Sequence, residues 1–220
     1  MIKGLVLDLD GVITDTAEYH YLAWKSLAEK IGIEIDRKFN EQLKGISRME
    51  SLELILKHGE KEKDYTEEEK QELATRKNEE YKSSIENITP ADLCPGMEQL
   101  LLDARKMDIK LSVASASKNA PTILEHLQVK DQFVGIVDPA SLKQGKPSPE
   151  IFHKGADLLG LTPAECIGIE DAEAGIEAIN RAGMFSVGVG SKESMKAADY
   201  FVEQTDELDL KTLVEKAEAH

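Results

Sequence analysis

Cysteine is scarce in this 220-residue chain: Cys94 and Cys166 are the only two, and they lie far apart. They build neither a disulfide framework nor a paired metal-ligand spacing, so ordinary thiols are expected. No run of ~18 or more apolar residues occurs, and the N-terminus lacks the basic, apolar and small-residue order of a secretory leader. A cytoplasmic protein with no membrane partner is the expectation. Positive charge is also short, since 27 Lys and Arg against 42 Asp and Glu give a formal net charge of −15. That balance repels nucleic acid as well as acidic membranes. An anionic ligand would need a metal or local cations to offset the field. Repeats and heptads are absent, as is an obvious apolar patch, which makes a monomer the expected state.

What is present is a hydrophobic content of 41%, enough for a real core. From residue 109 onward, short apolar runs (Ile109 to Ala114, Phe133 to Val137, Cys166 to Ile169, Met184 to Val189) alternate with helical stretches, which predicts a parallel sheet. Ser148 with Pro149 reads as the start of one helix and Gly160 as its end; Asp171 to Ala182 reads as another, closed by Gly183. Residues 15 to 88 show helical periodicity and almost no strand signal. Trp24, Leu27, Ala28 and Ile31 form one apolar face ended by Gly32, and Ser47 with Glu50 and Thr66 with Glu69 are candidate capping boxes. The charged run Glu60 to Glu72 reads as a solvated loop and helix face. Pro90 and Pro95-Gly96 mark the return to the sheet. The expected fold class is α/β, a Rossmann-like parallel-sheet core (residues 1–14 and 89–220) with an inserted all-helical cap domain (residues 15–88).

The candidate chemistry gathers at strand ends, where open α/β sheets place their ligands. Asp8 and Asp10 follow the apolar run Leu5-Val6-Leu7. Two residues apart in extended chain, they point the same way, so one can serve as nucleophile and metal ligand and the other as acid/base. Ser115 ends the next strand, and with Ala116 it offers a hydroxyl and backbone amides to a phosphate. Lys146 can neutralise both Asp8 and a phosphoryl group. Asp8, Glu170, Asp171 and the Asp10 backbone carbonyl form a hard oxygen set suited to one magnesium ion. Taken singly, Ser115 and Ser117 read equally as helix caps, Lys146 as a loop lysine, and Glu170-Asp171 as a helix N-terminus. Their joint occurrence at the strand ends of one sheet predicts a phosphoryl-transfer site. Arg48, one past Ser47 at a helix start, is either a solvated arginine or a bidentate clamp for a second phosphate. His20 reads as a partly buried helix histidine or a group entering the site, and Lys77 sits on a charged helix between Arg76 and Asn78.

Asp8-Leu9-Asp10-Gly11-Val12, Ser115-Ala116-Ser117, Lys146-Pro147 and Gly168-Ile169-Glu170-Asp171 resemble the four motifs of the haloacid dehalogenase superfamily over nearly the whole chain. Asp10 favours its phosphotransferases over its dehalogenases. Leu9 departs from the Phe common between the two aspartates, a buried apolar swap. The segments Thr14 to His20, Trp24-Lys25, Leu43 to Arg48, Arg76-Lys77-Asn78 and Ala114 to Asn119 resemble that superfamily's sugar-phosphate mutases more specifically. The resemblance implies reversible interconversion of β-D-glucose 1-phosphate and β-D-glucose 6-phosphate through β-D-glucose 1,6-bisphosphate. Asp8 would carry the phosphoryl group and Asp10 act as general acid/base, with Thr16 and His20 positioning Asp10. Gly45, Ser47, Arg48, Trp24 and Lys77, together with Ala116, Ser117, Lys118 and Asn119, would bind substrate. The alternative is a magnesium-dependent sugar-phosphate phosphatase, in which water attacks instead of a sugar hydroxyl. Arg48, Lys77, His20 and Ser117 to Asn119 favour the mutase, because a phosphatase needs no second phosphate clamp.

Overall fold

A computed structural model describes residues 1–220. Six parallel strands form one sheet in the order β3-β2-β1-β4-β5-β6: β1 Gly4–Leu7, β2 Lys110–Val113, β3 Gly135–Ile136, β4 Cys166–Glu170, β5 Phe185–Val189 and β6 Tyr200–Val202. The order reverses around β1, whose neighbours are β2 and β4, so the ends of these three strands share one crevice. Alternation along β1 explains why the sheet is covered on both faces. Leu5 and Leu7 join one cluster with Leu100, Leu101, Ile123 and Leu213, while Val6 joins the other with Phe152, Ala156 and Ile176. The helices that supply these side chains are α5 Met97–Lys106, α6 Ala120–His126, α7 Glu150–Leu159, α8 Glu173–Ala182 and α9 Leu210–Ala219.

Between β1 and α5 lie four α-helices and no strand: α1 Ala17–Lys30, α2 Arg37–Asn40, α3 Arg48–His58 and α4 Glu67–Ile85. Their apolar faces make a separate cluster around Trp24, Leu27, Leu52, Ile55, Leu56 and Leu73. Both predicted capping boxes form, Ser47 with Glu50 and Thr66 with Glu69, each satisfying two otherwise orphaned N–H groups. The segments that lead into and out of this helical unit run side by side: Thr14 bridges Leu93, Cys94 N–H donates to Ile13 O at 2.9 Å, and Thr14 Oγ1 to Asp92 O at 2.6 Å. No helix is long and apolar enough to cross a membrane.

Two helix starts need correction. Helix α7 starts at Glu150, with Pro149 in the cap position and Ser148 Oγ accepting only a long 3.4 Å bond from Glu150 N–H. Helix α8 starts at Glu173 instead of Asp171, because Glu170 Oε2 accepts the Ala172 N–H at 2.7 Å and holds Ala172 extended. The edge strand β6 carried no signal of its own, being three residues long. The Glu60 to Glu72 stretch is solvated except at Lys70, which is buried against Glu53 (2.8 Å) and Glu67 (3.1 Å).

Candidate active site

The site grows out of the end of β1. Asp8 N–H still donates to Ile169 O at 3.0 Å, so the nucleophile candidate is fixed by the last rung of the β1–β4 ladder. The chain then wraps around the Leu9 carbonyl, which accepts N–H groups from Val12, Ile13 and Thr14. Gly11 makes the wrap possible: its φ is +75°, and a Cβ there would stand 2.1 Å from Asp171 Oδ2. Asp8, Glu170 and Asp171 each offer a carboxylate oxygen within 4.8 Å of the others, an all-oxygen donor set compatible with a hard divalent cation. Burial, followed by the charge of Glu170, pushes the Asp8 and Asp171 carboxyls well above the ordinary aspartate range, a cost that a cation would offset.

Lys146, 3% exposed, stands behind Asp8, with Nζ 3.2 Å from Asp8 Oδ1 and 2.6 Å from Glu170 Oε1. Burial alone would lower its pKa, but the two carboxylates outweigh burial and raise it, so it is an ammonium. Glu170 therefore has both oxygens engaged, Oε1 by Lys146 and Oε2 by the Ala172 amide. The α8 residue Gly175 makes room for it, since a Cβ there would lie 2.0 Å from Glu170 Cδ.

Asp8, Asp10, Asp171, Ser115, Ala116, Ser117 and Asn119 line one wall of a cavity between sheet and helical unit. The opposite wall belongs to the helices, with His20, Trp24, Gly45, Arg48 and Lys77 among the predicted residues. Sequence reasoning missed Asn40, Lys44, Ser51 and Asn78 as lining residues. Lys44 and Asn78 lay within the quoted segments, whereas Asn40 and Ser51 gave no signal before folding. Lys118 is exposed and does not line the cavity; Ser117 and Asn119 turn inward around it. Ser47 faces a neighbouring cleft and spends its hydroxyl on the Glu50 N–H. Thr16 is fully buried behind the wall.

A polar chain crosses from the helices to Asp10. Lys77, 3% exposed, places Nζ 2.8 Å from His20 Nδ1, and His20 Nε2 lies 3.4 Å from Asp10 Oδ2. Burial, then the Lys77 charge, lowers the His20 pKa, so the imidazole is neutral. With Lys77 donating to Nδ1, the ring proton belongs on Nε2, facing Asp10. Burial and the nearby Arg48 charge bring Lys77 itself down to about 7, while its ammonium still lies 4.7 Å from the Trp24 ring centroid. Arg48 is half-buried at the first position of α3, and burial lowers its pKa as well, though a guanidinium stays charged. One further contact spans the two walls: Asn119 Nδ2 donates to Asn78 Oδ1 at 2.9 Å.

This arrangement holds paired carboxylates at the strand ends and cations on the facing helices, as phosphoryl transfer requires. Comparison with known proteins agrees. The haloacid dehalogenase-like hydrolase family matches residues 2–183. The β-phosphoglucomutase of Bacillus subtilis (strain 168) is 54% identical over 219 residues, covering 100% of this chain and 97% of that protein. The fructose-1-phosphate phosphatase of Escherichia coli (strain K12) is 28% identical, covering 84% of this chain and 95% of its own length. The crystal structure of a β-phosphoglucomutase from Clostridium difficile superposes with a TM-score of 0.98 at 52% identity, covering 100% of this chain and 98% of that one. With its motifs at the strand ends and more than half of its residues shared along the full length, the chain belongs to the haloacid dehalogenase-like family and, within it, to the β-phosphoglucomutases.

Proposed function

We propose that this protein interconverts β-D-glucose 1-phosphate and β-D-glucose 6-phosphate through β-D-glucose 1,6-bisphosphate, with Asp8 alternately phosphorylated and free. The observation that carries the reading is the two-walled cavity, which sets Asp8 and Asp10 on one side and Arg48 on the other. A bisphosphate needs both ends held, one against the nucleophile and the other by a separate clamp.

In the first half-reaction the sugar C6 hydroxyl attacks phosphorus on phospho-Asp8. The Asp10 carboxylate takes the hydroxyl proton, the Asp8–phosphorus bond breaks, and the bisphosphate and free Asp8 result. After the bisphosphate turns end for end, Asp8 attacks the C1 phosphate. The C1 oxygen leaves with the proton from Asp10, giving glucose 6-phosphate and phospho-Asp8. Asp8, Asp171, Glu170 and the Asp10 carbonyl would hold one Mg²⁺, which when bound neutralises charge on the transferring phosphoryl oxygens. Lys146 neutralises Asp8. Ser115 and the amides near Ala116 receive the transferring phosphate, and Arg48, Ser117 and Asn119 hold the distal one. His20 and Thr16 position Asp10. Both walls carry polar side chains, among them Asp10 and Ser117 on one and Asn40 and Asn78 on the other, which suits a hydroxylated ring.

Residues 1–14 and 89–220 act as the catalytic core and 15–88 as a cap domain that excludes water while Asp8 is phosphorylated. The enzyme works as a cytoplasmic monomer on small sugar phosphates. A phosphatase on the same scaffold is less supported, because the mutase relative is 54% identical and the phosphatase relative 28%. Phosphorus NMR with Mg²⁺, β-D-glucose 1-phosphate and a trace of bisphosphate tests the reading. Rapid glucose 6-phosphate with little inorganic phosphate supports it, and inorganic phosphate as the main product overturns it.

A further inference from the structure

Three buried side-chain polar atoms in this protein lack a hydrogen-bond partner: Asp10 Oδ1, Thr16 Oγ1 and Tyr81 Oη. They belong to one neighbourhood, because the Tyr81 phenol feels both the Thr16 hydroxyl and the Asp10 charge. Tyr81 takes no part in the mechanism above and does not line the cavity. It is fully buried on α4, one turn after Lys77, and its ring packs into the main sheet cluster instead of the helical one. Its face touches the relay twice. The His20 imidazole stacks on it with centroids 4.0 Å apart and planes 13° apart, and the Lys77 ammonium lies 4.8 Å from its centroid.

We propose that Tyr81 is a positioning residue for Asp10, acting through His20. Anchored in the sheet cluster, its ring fixes the plane of the imidazole and the place of the ammonium that selects the His20 tautomer. A stacked pair with so small an interplanar angle fixes the plane of the imidazole, and of the two settings related by a half-turn the Lys77 contact to Nδ1 selects the one that turns Nε2 to Asp10. Placing the His20 N–H matters in the transition state, where Asp10 gains or loses charge, more than in substrate binding, where the phosphates are held elsewhere. The inference rests on the proposed mutase reading for its kinetic consequence and on geometry alone for its spectroscopic one.

Two variants separate ring from hydroxyl. Tyr81→Phe keeps the face and removes only the unpartnered hydroxyl; Tyr81→Leu removes the face. Tyr81→Leu is expected to lower kcat at least about tenfold with KM for β-D-glucose 1-phosphate within about twofold. Tyr81→Phe should keep kcat within about threefold. Two-bond ¹H–¹⁵N spectra of the imidazoles should show His20 as the Nε2–H tautomer in the unsubstituted protein and in Tyr81→Phe, and as a mixture in Tyr81→Leu. Rates are read well below each variant's Tm, so that a loss of folded protein is not counted as a loss of turnover. Wild-type kcat in folded Tyr81→Leu, equal losses in Phe and Leu, or an unchanged His20 tautomer in Tyr81→Leu would each overturn the proposal. If the unsubstituted protein does not turn over glucose phosphates, the mutase reading fails by itself and the tautomer measurement still decides the role of Tyr81.

Discussion

The ammonium of Lys146 lies 2.6 Å from Glu170 Oε1, nearer than its 3.2 Å to Asp8 Oδ1, with neither Lys146 nor Glu170 open to solvent. The lysine behind Asp8 is therefore anchored first by a different carboxylate. Glu170 fixes the cation, and the cation in turn limits the repulsion between Asp8 and Glu170. Removing one partner of such a group leaves uncompensated buried charge, which costs about 3–5 kcal/mol, whereas removing the group together costs less. Lys146→Met should thus lower the free energy of unfolding by about that amount in metal-free buffer, and the double variant Lys146→Met/Glu170→Gln should recover part of it. Urea titrations of Lys146→Met, Glu170→Gln and the double variant measure the coupling. Additive losses would mean that the two side chains do not act as a pair.

The raised Asp8 and Asp171 carboxyls give the metal-free protein a defined pH dependence. A folded-state carboxyl above its ordinary value near 3.8 keeps a proton that the unfolded chain has released, so its contribution is fully present below that value and is lost as pH rises toward the folded-state value. In EDTA, Tm is expected to fall across this interval as pH increases from about 4. Saturating Mg²⁺ should oppose the fall and raise Tm more at pH 7 than at pH 5. A hundredfold excess over Kd is worth about 2.7 kcal/mol, or roughly 5–10 °C for a domain of this size. Asp171→Asn should flatten the slope in EDTA and reduce the gain from Mg²⁺. A Tm in EDTA that is indifferent to Asp171→Asn would contradict this account.

The strand-end residues were legible in the sequence because each follows an apolar run directly: Asp8 after Leu7, Ser115 after Ala114, and Glu170 at the end of β4. A parallel sheet buried on both faces makes such runs near-continuous, and its crevice is fixed by topology, so position along the chain translates into position in the site. The helical wall was less legible. Lys77 and Tyr81 sit on a helix whose visible sequence is mostly charge, and only the packing of α4 on α1 turns these two toward His20. Asn40 ends a four-residue helix, and Ser51 is a lone small polar residue on α3; nothing local distinguishes either as a lining residue. Strand β6 has three residues and gains its place by pairing with β5, a long-range effect that no local pattern announces. The shifted start of α8 has a comparable cause, because the side chain of Glu170 captures an amide that helical spacing would assign to a cap.

Gly11 and Gly160 test whether a close approach at the site differs in kind from an ordinary helix end. Both have left-handed φ, +75° and +67°, but a Cβ at Gly11 would stand 2.1 Å from Asp171 Oδ2 whereas one at Gly160 meets nothing within 4 Å. An alanine at either position bears a backbone cost of about 1–2 kcal/mol. At Gly11 the carboxylate must also move, and as the end of a side chain it gives way more readily than the backbone around Leu9. The added penalty should therefore fall on the metal site more than on the fold. Gly11→Ala is expected to weaken Mg²⁺ binding about 10–100-fold, the range seen when the groups that orient metal ligands are disturbed. Gly160→Ala should lose comparable stability and keep its Mg²⁺ affinity. Isothermal titration with Mg²⁺ beside urea unfolding reads both quantities on both variants. Equal Mg²⁺ affinity in the two would remove Asp171 from the cation site, because its displacement in Gly11→Ala would then have no consequence there.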